Sequence, residues 1–121
     1  MADRSQWSIV YYAEADGSSP VREFLESLDA KTQVRFGWAI EQLRIRNVRA
    51  SEPLVKHIED KLWELRRDSG TDTFRVFYFF FSGRKIVLLH GFQKKSQKTP
   101  RQEIETAIRR MNDFLARAEG E

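Results

Sequence analysis

Lys61-Leu62-Trp63-Glu64-Leu65-Arg66, Phe74-Arg75-Val76-Phe77-Tyr78-Phe79-Phe80-Phe81 and Lys85-Ile86-Val87-Leu88-Leu89-His90-Gly91-Phe92 follow one another with only short polar segments between them. β-Branched and aromatic side chains crowd all three runs, and the separators contain Gly70 and Gly83. That is the pattern of an antiparallel meander. The middle run carries a large side chain at almost every position, which suits a central strand covered on both faces. Alternation puts Trp63 and Leu65 on one face of the first strand, with Leu62, Glu64 and Arg66 on the other. In the last strand Ile86, Leu88, His90 and Phe92 are expected to share a face, opposite Val87, Leu89 and Gly91. Gly91 interrupts the strand at a point where another backbone or a ligand is expected to approach closely. Arg67-Asp68-Ser69-Gly70-Thr71-Asp72 reads as a polar, mobile loop and Ser82-Gly83 as a tight hairpin turn.

Working outward, Trp7 to Tyr12 has the composition of a first strand. Ser19-Pro20 is a helix start, with Ser19 as N-cap and proline where its missing N–H costs nothing. The short helix that follows buries Phe24, Leu25 and Leu28. Asp29 caps a second helix reaching about Arg46, in which Phe36, Ala39, Ile40 and Leu43 recur at helical spacing and Val34 and Trp38 widen the stripe. Two helices with so short a link form a helical hairpin. Asn47 to Asp60 lacks periodicity, contains Pro53 and reads as a long connection carrying His57 on a loop. Thr99-Pro100-Arg101-Gln102 reads as a capping box, and Ile104, Ala107, Ile108 and Met111 line the final helix to about Arg117. The expectation is one α+β domain over residues 1–121 in the order βααβββα. It has a small twisted, mainly antiparallel sheet, an N-terminal helical hairpin and a C-terminal helix.

The 121 residues suit a single core, and the absence of cysteine excludes disulfides and thiolate metal sites. His57 and His90 lie far apart without the carboxylate spacing of a zinc site, so neither metal nor cofactor is expected. No apolar run reaches about 18 residues, and Met1 to Gln6 lacks a hydrophobic signal core, so a cytoplasmic protein without membrane contact is expected. Charge is unevenly spread. Residues 61–100 hold nine Lys/Arg against three Asp/Glu, while the segments on either side are slightly acidic. Such a local excess points to a polyanionic partner. Arg75, inside an aromatic run, needs an anionic partner or an open cleft, because an unpaired buried charge is costly.

Leu62-Trp63-Glu64-Leu65-Arg66, Phe74-Arg75-Val76-Phe77-Tyr78 and Leu88-Leu89-His90-Gly91-Phe92-Gln93-Lys94-Lys95-Ser96-Gln97-Lys98-Thr99-Pro100 together resemble the RelE/HigB toxin superfamily. The likeness is closest to its phage-derived, HigB-like branch, and it extends from about Trp7 to Leu115. The resemblance implies the toxin of a type II toxin–antitoxin system, an endoribonuclease that cuts messenger RNA on the ribosome. The implied chemistry needs no metal. The ribose 2′-hydroxyl attacks the adjacent phosphate and leaves a 2′,3′-cyclic phosphate. The implied partner is a helix-turn-helix, HigA-like antitoxin, through which alone operator DNA is reached.

On that resemblance Arg75 stabilises the transition state, and Lys94 and Lys95 flank the scissile phosphate. Arg66, Gln97 and Lys98 bind phosphate, with Lys98 near a helix N-terminus. His90 titrates near neutrality and is a candidate base. Plainer readings stand beside each role: Arg75 bridged to Glu64, Lys94 and Lys95 as solvated strand-end charges, His90 as a core residue. Trp63 and Trp38 read as core. Several RelE-type enzymes use a tyrosine near the C-terminus, whereas this chain has only Tyr11, Tyr12 and Tyr78. Two other function classes remain: a ParE-like toxin that binds a protein such as gyrase, and an inactive antitoxin-binding protein.

Overall fold

The computed structural model describes residues 6–120; Met1 to Ser5, read above for a signal core, lie outside them. The fold is α+β, built on a five-stranded sheet. The strands are β1 (Ser8–Tyr11), β2 (Val55–Glu59), β3 (Leu62–Ser69), β4 (Asp72–Phe81) and β5 (Lys85–Lys94). Three helices accompany them, α1 (Pro20–Glu26), α2 (Ala30–Arg46) and α3 (Arg101–Glu119), with a 3₁₀ turn at Asn47–Arg49. Lateral order is β1-β5-β4-β3-β2, antiparallel throughout except for the parallel pairing of β1 with β5.

The expected order βααβββα therefore lacked a strand. Val55 to Glu59 pairs with Leu62 to Leu65 and forms the edge of the sheet. His57 is on that edge rather than on a loop, its Nε2 lying 2.7 Å from the Asp60 carbonyl. An edge strand exposes Lys56 and His57, so it carries no apolar alternation to be read. The expected mobile loop is also largely strand. Arg67, Asp68 and Ser69 continue β3, and Gly70-Thr71 alone closes the hairpin, with Gly70 at φ 62°.

β4 lies at the centre, as its composition requires, and separates two apolar layers. On one side Leu65, Phe74, Val76, Tyr78, Ile86 and Leu88 meet α1 and α2 through Val21, Phe36, Ala39, Ile40 and Leu43. On the other, Leu62, Phe77, Phe79, Val87, Leu89 and Phe92 meet Ile104, Ala107 and Met111 of α3. Each such side chain taken fully from water contributes roughly 1.5–3 kcal/mol before entropy is counted. Ser19 and Asp29 cap α1 and α2, accepting from the backbone N–H groups of Arg22 and Thr32. The two helices do not form a hairpin packed mainly on itself; α1 rests on β5 and α2 on β3. The capping box expected at Thr99 is absent. Pro100 is the N-cap of α3, with no side-chain bond to the first turn.

A bulge in β5 redirects its last residues. Phe77 pairs with His90 but Tyr78 pairs with Leu88, leaving Leu89 as the extra residue. His90 and Phe92 consequently stand on the α3 side with Val87 and Leu89, not with Ile86 and Leu88. His90 lies against Phe92 and Phe77, at ring separations of 5.6 and 6.5 Å. Gly91 turns toward α1, where a Cβ would meet Phe24 Cδ2 at 2.3 Å. The close approach is made by an aromatic side chain of the core, not by the second backbone or ligand that the strand interruption led us to expect.

Candidate functional site

Strand register assembles the site. Arg66 stands opposite Arg75, and Thr73 opposite Lys94, so three cations from three adjacent strands reach one end of the α3-side face. Beyond the end of α3 this face is open. The resulting cleft, about 640 Å³, is lined by Arg66, Arg75, Lys94, Lys95 and Gln97, with Asp72 and Gln93 among its other walls.

Arg75 is nearly enclosed, at 4% exposure, and its charge is met from two sides. Nε lies 3.3 Å from Glu64 Oε1, and Nη1 donates to Asp68 Oδ1 at 3.1 Å and to the Phe74 carbonyl at 2.8 Å. Arg66 reaches the same Glu64 oxygen at 3.6 Å and Glu52 at 3.7 Å. Glu64 is 1% exposed, and its Oε2 has no hydrogen-bond partner among the described residues. One buried carboxylate thus lies within ion-pair distance of two guanidinium groups at the cleft. The structural bridge and the cleft position therefore coexist in Arg75.

Lys94 is half-buried at the end of β5. Burial pushes its pKa down from the ordinary lysine value, and Arg75, Arg66 and Lys56 push the same way, while Glu64 opposes them. Lys95 lies beside it, exposed. A cleft with four cations at its wall, one of them a lysine of lowered pKa, suits an anion of high charge density.

Two expected site residues lie elsewhere. His90 is not part of the cleft wall. Its Nδ1 accepts from Arg110 Nη1 at 3.0 Å, so its Nε2–H faces Glu103 Oε2 at 3.4 Å. Burial lowers its pKa, with Glu103 opposing. Lys98 is exposed on the connection ahead of α3 and lines no part of the cleft. Glu64 and Asp68 are the carboxylates that meet Arg75, and the sequence signals them unequally. The signal for Glu64 was a carboxylate sharing a strand face with Leu62 and Arg66. Asp68 had none, being read as loop.

Residues 23–112 match the family described as "Phage derived protein Gp49-like". Two relatives, from two strains of Mycobacterium tuberculosis, CDC 1551 / Oshkosh and ATCC 25618 / H37Rv, each named "Probable endoribonuclease HigB1", are 28% identical over 100 residues. The match covers 83% of this chain and 78% of theirs. Fold composition, basic cleft and these likenesses define a toxin of the RelE/HigB type. Within that class, the chain belongs to the phage-derived Gp49-like family.

Proposed function

We propose that this protein is the toxin of a type II toxin–antitoxin pair and acts as an endoribonuclease on messenger RNA engaged by the ribosome. The observation that carries this reading is the convergence of Arg66, Arg75, Lys94 and Lys95 on one cleft. The endoribonuclease name of the Mycobacterium relatives supports it. In this reading the ribose 2′-hydroxyl attacks the adjacent phosphorus, forming the O2′–P bond as the P–O5′ bond breaks. The 2′-hydroxyl proton passes to water in the open cleft. Arg75, Arg66 and Lys95 hold the extra negative charge that builds on the phosphoryl oxygens. Lys94, with its lowered pKa, is the acid that protonates the departing O5′. Glu64 is a positioning residue that holds the two guanidinium planes. A helix-turn-helix antitoxin is the implied partner, and no cofactor enters the chemistry.

The test is expression from a tightly repressed promoter of the wild type, Lys94→Ala and Arg66→Ala/Lys95→Ala, with messenger RNA 5′ ends mapped by primer extension. New translation-dependent cuts that vanish in the variants are expected, together with cyclic-phosphate ends. Growth arrest with intact transcripts would overturn the nuclease and move a protein target such as gyrase to the front.

A further inference from the structure

Trp38 is 51% exposed on α2, although a tryptophan in an apolar helical stripe is expected in the core. It stands at the rim of a second groove, of about 490 Å³, between α2, the segment before β2 and the β3–β4 hairpin. Arg35, Arg46 and Arg67 line this groove, and Arg66 and Arg75 line both it and the cleft described above. The two depressions therefore share a wall of two guanidinium groups. The Arg67 guanidinium lies over the Trp38 ring, 5.2 Å from its centroid, and its buried Nε has no hydrogen-bond partner among the described residues. Arg35 Nη1 reaches the Asp68 carbonyl at 3.3 Å. Two carboxylates, Glu52 and Asp68, also line the groove, and each is already paired, with Arg66 and Arg75 respectively.

We propose that this groove is a subsite for the single-stranded RNA that flanks the scissile phosphate. A base stacks on the Trp38 indole, and Arg35, Arg46 and Arg67 take the phosphates on either side of it. A half-exposed indole with one guanidinium over its ring and others beside it suits single strands bound without sequence preference, since every base has a π-face to stack on the side that Arg67 leaves uncovered. Continuity through Arg66 and Arg75 favours one RNA strand over a separate protein ligand, because a strand lying in the cleft is delivered to the groove by the shared wall. A positive groove also draws a chain of regularly spaced phosphates along its length. The inference rests on the RNA reading of the cleft and extends it.

The test uses the full-length protein and two fluorescein-labelled, fully 2′-O-methylated single-stranded RNAs of about three and about twelve nucleotides, read by anisotropy. Methylation removes the attacking hydroxyl, so binding is measured without cutting. The longer strand is expected to bind the wild type more tightly than the shorter. Trp38→Ala weakens the longer strand about ten-fold or more and leaves the shorter unchanged, and Trp38→Phe restores most of the loss. Arg46→Ala lowers the salt dependence of the longer strand by about one unit of slope. If Trp38→Ala binds the longer strand as the wild type does, the subsite is wrong while the RNA reading stands, and the groove becomes a surface for a protein partner. If Trp38→Ala weakens both strands equally, the residue is structural and the subsite is likewise rejected. If neither strand binds the wild type, the subsite is rejected, whereas the ribosome-dependent reading of the cleft stands or falls separately on the mapped messenger RNA 5′ ends.

Discussion

Glu64 Oε1 lies 3.3 Å from Arg75 Nε, a diagonal pair across β3 and β4 with both side chains almost wholly withdrawn from water. Removing one partner from such a pair leaves the other charge buried, which costs about 3–5 kcal/mol. Glu64→Gln is therefore expected to lower the urea unfolding midpoint sharply. Arg75→Lys keeps the charge but loses the planar fork, so it should lose less stability than Glu64→Gln while abolishing RNA cleavage. A Glu64→Gln protein within about 0.5 kcal/mol of the wild type would show that solvent or rearrangement satisfies Arg75 instead.

In the proposed reaction Lys94 allows catalysis to be separated from folding, because it is only half-buried. Lys94→Ala is expected to reduce cleavage by about 10²- to 10⁴-fold with little change in stability. As an acid, Lys94 must carry its proton, so the wild-type rate should fall as pH rises through a pKa below the ordinary 10.5. Lys94→Arg should lack that descending limb and cleave poorly, because arginine does not release its proton. Undiminished cutting by both variants would remove Lys94 from the mechanism.

His90 makes stability depend on pH in a definite direction. Burial lowers its pKa below the ordinary 6.5, against the pull of Glu103 and with the help of Arg110 and Arg109. Between the folded pKa and 6.5 the unfolded chain binds a proton that the folded chain refuses. Stability is thus fully present above that window and declines as pH falls through it. The urea midpoint of His90→Gln should change less than that of the wild type between about pH 7.5 and about pH 5.5. Identical changes in the two proteins would show that His90 protonates equally in both states.

Gly91 can be tested through Phe24. A Cβ at position 91 would meet Phe24 Cδ2 at 2.3 Å, so the ring must shift away from Phe36 and Phe74. Gly91→Ala is expected to cost about 1–3 kcal/mol by overpacking. Combined with Phe24→Leu it should cost less than the two single changes added together. Strict additivity would mean that the ring and the glycine do not touch in solution.

Much of this could be read along the chain, and the failures have physical causes. The meander was legible because Phe74 to Phe81 is apolar on both faces, a property that only a central strand needs. The caps at Ser19 and Asp29 were legible because both signals are local. β2 was not, since an edge strand with Lys56 and His57 turned outward has no period. The bulge at Leu89 was invisible, because one extra residue alters no composition yet moves His90 to the other face. Trp38 failed for a geometric reason. At 100° per residue, Phe36, Ala39, Ile40 and Leu43 already fill the buried stripe, which leaves Val34, Trp38 and Ile45 roughly opposite it. Of the residues singled out from the motifs, Arg66, Arg75, Lys94, Lys95 and Gln97 line one cleft, whereas His90 and Lys98 do not.

The parallel pairing of Ser8 with Lys85 sets an order of events during synthesis. The first strand leaves the ribosome early and has nothing to pair with until β5 follows, some two-thirds of the chain later. Meanwhile the β3–β4–β5 meander, whose contacts are local, can form by itself. The cleft needs Lys94 and Lys95, so it too is completed only once the chain has been made well past β4. A nascent copy therefore cannot bring Arg66, Arg75, Lys94 and Lys95 to one cleft until most of the polypeptide has been translated.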